Sequence, residues 1–128
     1  MLADSPAFSG FSVDDLDAAR RFYADTLGVR VEDGGPGFNL KLAGGKDVLV
    51  YPSPSHAPAS YTVLNFPVPD IEATVEGLTE RGVAFEKYED TPMSTDEKGV
   101  FRKGGPLIAW FKDPAGNTLS VIEIDAAS

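Results

Sequence analysis

Phe11-Ser12-Val13-Asp14-Asp15-Leu16-Asp17-Ala18 recurs 55 positions later as Phe66-Pro67-Val68-Pro69-Asp70-Ile71-Glu72-Ala73. The echo resumes one residue out of step, with Gly28-Val29-Arg30-Val31-Glu32 set against Gly82-Val83-Ala84-Phe85-Glu86. Each copy passes from an alternating apolar stretch, through an aspartate-led amphipathic stretch, to a glycine and a second alternating stretch. That order is strand, helix, strand. Two such units in 128 residues predict two similar halves and a cleft where they meet.

Working outward, residues 7–13 read as the first strand, and Asp14 or Asp15 caps the helix that follows. Leu16, Ala19, Tyr23 and Leu27 recur at spacings of three and four, with Phe22 beside the stripe, and Gly28 ends the helix. Residues 29–32, 38–42 and 48–51 read as three short strands separated by glycine-rich turns. Residues 52–59 form a Pro/Ser-rich connector, expected to be stiff and unpacked. The second copy continues as a strand over 61–68, a helix over 70–81 and a strand over 83–88. A long polar segment, 89–106, has the length of a lid or binding loop. Strands at 107–112 and 118–124 close the chain as a hairpin around Asp113-Pro114-Ala115-Gly116-Asn117. The expectation is one domain, 1–128, with module one at 7–51, the connector at 52–59 and module two at 60–125.

The bulk composition narrows the function classes. Hydrophobic residues make up 42% of the chain and charged residues 24%, as in an ordinary globular domain. A net charge of −9, with no basic cluster interleaved with aromatics, argues against nucleic-acid binding. No apolar run approaches the roughly 20 residues of a bilayer-spanning helix. The N-terminal residues have no signal-peptide pattern, so a cytoplasmic protein without membrane partners is expected. The absence of cysteine removes thiol catalysis, disulfides and thiolate metal sites.

The chain resembles the vicinal-oxygen-chelate superfamily, which includes glyoxalase I, bleomycin-resistance proteins and extradiol dioxygenases. The resemblance is carried by Val13-Asp14-Asp15-Leu16, Phe22-Tyr23, Leu27-Gly28 and Val68-Pro69-Asp70-Ile71-Glu72. Its most specific stretch is Trp110-Phe111-Lys112-Asp113-Pro114-Ala115-Gly116-Asn117. It implies an α+β fold of two tandem βαβββ modules, with curved mixed sheet enclosing a cleft, and a homodimer. In metal-using members it further implies His or Gln ligands on the first strands and Glu on the last, holding a divalent ion that polarises substrate oxygens.

Carried over position by position, those ligand sites hold Phe8, Leu49, Val63 and Ser120. Three of the four have no lone pair to offer, and the fourth is a neutral hydroxyl. No metal and no cofactor are therefore expected. Glu123 lies an odd number of residues from Ser120, on the opposite strand face. His56, the only histidine, is expected to be a solvated connector residue. Ser53 and Ser55 flank it without an orienting carboxylate, and Gly34, Gly35 and Gly37 do not precede a helix.

Strand alternation then gives an inner surface. It carries Phe8, Gly10 and Ser12, then Val63 and Asn65, with Leu49, Tyr51, Thr118, Ser120 and Ile122 from later strands. Pairing of Lys112 with Thr118 would place Trp110 beside Ser120, while Met93 and Phe101 on the long segment would close over the site. The candidate ligand-binding residues are thus Phe8, Leu49, Tyr51, Val63, Asn65, Met93, Phe101, Trp110, Ser120 and Ile122. Such an apolar, aromatic surface with a few hydroxyls and one amide suits a small, partly aromatic organic ligand. The leading expectation is a metal-independent binding protein. The alternative is a lyase, isomerase or dioxygenase of the same superfamily with relocated groups such as Glu86, Asp47 or Glu123.

Overall fold

The computed structural model describes residues 1–87, 95, 99–101 and 106–124. The chain divides into two compact units, Met1–Ala57 and Pro58–Ser128.

In the first unit, β1 (Ser9–Val13) leads into α1 (Leu16–Arg21) and a π-helical turn, Phe22–Thr26. Then come β2 (Arg30–Gly34), β3 (Gly37–Lys41) and β4 (Asp47–Pro52), and the sheet order is β1-β4-β3-β2. β1 and β4 are parallel, so the chain must cross over between them, and the helix is that crossover. Asp15, rather than Asp14, caps α1, its carboxylate accepting from the Ala18 N–H at 3.1 Å. The apolar stripe does not continue as α-helix. From Phe22 the chain widens, and the Leu27 N–H reaches back to the Phe22 carbonyl at 2.9 Å, one residue further than an α-helical bond. Tyr23 is thereby wholly buried, with its ring 6.0 Å from Phe11 and 6.4 Å from Phe38. Val13, Ala19, Leu40, Val48 and Val50 complete this core.

The second unit repeats the plan with β5 (Thr62–Val68), α2 (Ile71–Glu80), β6 (Val100–Phe101), β7 (Ile108–Lys112) and β8 (Thr118–Glu123). The order is β5-β8-β7-β6, with β5 and β8 parallel. Asp70 caps α2 through the Ala73 N–H at 3.1 Å, the same device as in the first copy. A second carboxylate joins it, since Glu123 Oε1 accepts from the Ile71 N–H at 3.1 Å. Both anions meet the positive end of the helix dipole. Ile71, Val75, Val83, Val100, Ala109, Phe111, Leu119 and Val121 are buried between helix and sheet.

One expectation fails here. Among the described residues, residues 83–87 of the expected strand 83–88 form one bridge, Phe85 to Phe111, and residue 88 lies outside the described residues. The edge of β7 is instead shared. Phe85 takes one end, where the Glu86 N–H donates to the Trp110 carbonyl at 2.7 Å, and β6 takes the other. The connector keeps its prolines exposed but is anchored at points: the Ser53 N–H extends the ladder to the Val13 carbonyl at 3.0 Å. Pro58, further along, lies so close to Gly116 that a Cβ there would meet its Cγ at 3.0 Å.

The closing hairpin turn is held by one buried side chain. Asp113 Oδ1 accepts from the Ala115 and Asn117 N–H groups at 3.0 and 2.9 Å, and Oδ2 accepts from Asn117 Nδ2 at 3.1 Å. This clamp sets the β7–β8 register, with Lys112 opposite Thr118 and Trp110 opposite Ser120. Strand alternation gives each sheet a face packed by its helix and an opposite face, open in that no helix packs on it among the described residues.

Candidate functional site

On the open face of the second sheet, β5, β8 and β7 align Asn65, Ser120 and Trp110 in one row. Ser120 is fully buried, Asn65 is exposed, and Trp110 is half-buried. Ser120 Oγ donates to Asn65 Oδ1 at 2.5 Å. Ile108 and Ile122 lie opposite each other across the same strand pair, one step along. Phe101, expected on a closing loop, is instead part of edge strand β6. Its ring centre lies 6.0 Å from that of Trp110, tilted by 50°, within the range of favourable aromatic pairs. Val63 sits at the irregular step of the β5–β8 ladder, between Thr62 and Leu64. Met93 lies outside the described residues.

On the open face of the first sheet, Leu49 is flanked by Gly10 on β1 and Asn39 on β3. Tyr51 lies opposite Ser12, and its ring passes within 3.7 Å of the position a Gly10 Cβ would take. Phe8 precedes β1 and is 70% exposed. It borders a cavity of about 450 Å³ with Asn39, Lys41, Lys46 and Asp47. The cavity was not legible as such, although the Lys41–Asp47 pair symmetrically brackets a glycine turn, as a cross-strand ion pair should. Their N–O distance is 2.8 Å, and the Asp47 hydrogen bond raises the Lys41 pKa above its ordinary value.

His56 is not a solvated residue. It is half-buried, with Nδ1 2.7 Å from Ser12 Oγ. The Ser53 carbonyl accepts from the His56 N–H at 3.2 Å, and this turn carries the imidazole back toward β1. The carboxylates weighed as relocated catalytic groups have partners of their own. Glu123 holds the N-terminus of α2, Asp47 pairs with Lys41, and Glu86 lies 3.8 Å from Lys112.

The donor set does not suit a divalent ion. Phe8, Leu49 and Val63 bring no lone pairs, and the Ser120 hydroxyl is committed to Asn65. Among the described residues, no three His, Asp or Glu side chains converge on a point where a metal could be held. Among the same residues, no helix is long and apolar enough to cross a membrane.

A family model described as Glyoxalase/Bleomycin resistance protein/Dioxygenase superfamily matches residues 7–121. The chain belongs to that superfamily. Solved structures carry the same fold. A glyoxalase family protein from Enterococcus faecalis is 23% identical, with TM-score 0.67, over 96% of this chain and 100% of that one. TnmS3, an antibiotic binding protein from Streptomyces sp. CB03234, is 27% identical, with TM-score 0.63, over 96% and 98%. A glyoxalase/bleomycin resistance protein from the same organism is 27% identical, with TM-score 0.57, over 91% and 99%. A search of curated proteins gives no match.

Proposed function

We propose that this member of the glyoxalase/bleomycin-resistance superfamily is a metal-independent binding protein for a small, partly aromatic organic molecule, acting in the cytoplasm as a homodimer. The observation that carries the reading is the row Asn65–Ser120–Trp110 on the open face of β5-β8-β7. It offers a half-buried indole and an exposed amide where metal-using relatives place an acidic ligand. An indole presents a large flat apolar surface at little conformational cost, and the polar row beside it fixes orientation. The likeness to an antibiotic binding protein at 27% identity is consistent with the same role.

The carboxylates weighed for an enzymatic reading do not support it: Glu123 holds the N-terminus of α2, Asp47 pairs with Lys41, and Glu86 lies 3.8 Å from Lys112. A thermal-shift screen of planar aromatic compounds, run with and without EDTA, tests the proposal. A ligand at about 100 times its dissociation constant stabilises the fold by roughly 2.7 kcal/mol. The expected result is a set of stabilising aromatics whose effect survives EDTA. Stabilisation by divalent ions alone, or no stabilising aromatic, would overturn it.

A further inference from the structure

We infer that Asn65 is a fixed hydrogen-bond donor that selects ligands carrying an oxygen acceptor on an aromatic frame. The inference rests on the binding reading above and adds the chemistry of the ligand. A side-chain amide has two faces, one accepting and one donating, and unconstrained it can present either. Here the choice is made. Ser120 Oγ donates to Asn65 Oδ1, so the amide turns its oxygen toward the serine. The hydroxyl is fully buried, so its proton has no water to turn to. With Oδ1 taken, the two Nδ2 hydrogens are what remains, and no described residue accepts them. Asn65 itself is exposed, so those donors are available to a ligand.

The placement of the two groups follows from the sheet. The Asn65 amide is drawn over Ser120 on the middle strand, beside the strand that carries Trp110, so an aromatic ring lying on the indole brings an oxygen substituent toward the amide. Phe101 stands beside Trp110 on the far strand and bounds the surface there. In metal-using relatives a cation polarises the substrate's oxygen. In this chain, Ser120 occupies the position of the acidic ligand and aims a neutral amide donor in its place. The preferred ligand class is therefore a neutral aromatic ketone, quinone or lactone rather than an anion that needs a metal.

The test is a set of matched pairs, 1-tetralone with tetralin and 9-fluorenone with fluorene, titrated against the full chain. The readouts are Trp110 fluorescence and the Asn65 side-chain amide resonances. The ketones should bind about five- to tenfold more tightly than the hydrocarbons, as one neutral hydrogen bond allows. They should also move the Asn65 NH₂ signals downfield. Asn65→Asp should abolish the preference, and an unchanged far-ultraviolet circular dichroism spectrum and urea midpoint show that the variant is folded. Ser120→Ala, which frees the amide to turn, should reduce the preference by at least half. Equal binding of ketone and hydrocarbon by the wild type, or an undiminished preference in Asn65→Asp, would overturn the donor assignment and leave the aromatic-binding reading standing. Failure of both members of both pairs to bind would overturn the two together.

Discussion

Asp113 ties the closing hairpin turn together. The residue is 4% exposed, and its carboxylate accepts hydrogen bonds from the Ala115 and Asn117 N–H groups and the Asn117 amide within a single turn. Asp113→Ala removes those bonds from a buried turn. We expect a loss of about 2–4 kcal/mol in urea unfolding, the cost of losing a buried, charge-assisted hydrogen-bond cluster. Glu123 acts at longer range. Glu123→Ala should cost about 1 kcal/mol as a weakened helix N-terminus, with binding of aromatic probes unchanged. A variant that kept its stability but lost binding would return Glu123 to the functional site. The two residues were not equally legible. The Asp113 clamp is written in five consecutive residues, so turn chemistry alone reveals it. The Glu123 contact joins residues 52 apart, and only its strand face could be read in advance.

At the scale of elements, the repeat foretold both helices, both aspartate caps and the glycines that end them, because each depends on short-range chemistry. Gly28 and Gly82 take positive φ, 72° and 94°, as the ends of those helices require. Two features went unread. The π-helical turn at Phe22–Thr26 takes up one extra residue, which the sequence shows only as the one-residue slip between the two copies and does not locate. The short strand β6 lies in a polar segment with no alternation long enough to mark it. Gly99 makes β6 possible. Its φ is 89°, and a Cβ there would fall 2.9 Å from the Cβ of Phe85. Both obstacles act together in Gly99→Ala, which should lose about 2–3 kcal/mol of stability and detach β6 from β7. Hydrogen exchange at the Phe101 and Ile108 amides should rise in that variant. Unchanged protection would mean that β6 tolerates a side chain at its entry.

Over the whole molecule, the duplicated plan yields two sheets of the same strand order, β1-β4-β3-β2 and β5-β8-β7-β6. Membership of the superfamily was legible because its signatures are the caps and turns that build these modules. The site was legible only as faces. Strand alternation placed Asn65, Ser120 and Trp110 on one surface, but the Ser120–Asn65 bond and the His56–Ser12 contact needed three dimensions. Light scattering on purified protein should give twice the mass of a single chain, and a monomer at micromolar concentration would remove the proposed homodimer. The most direct test of the account is a 9-fluorenone titration followed by the fluorescence of Trp110, the only tryptophan. It should be run once in EDTA and once with excess Mn²⁺ or Zn²⁺. Saturable quenching with the same dissociation constant in both conditions is the predicted result. Quenching that appears only when the metal is added would contradict it.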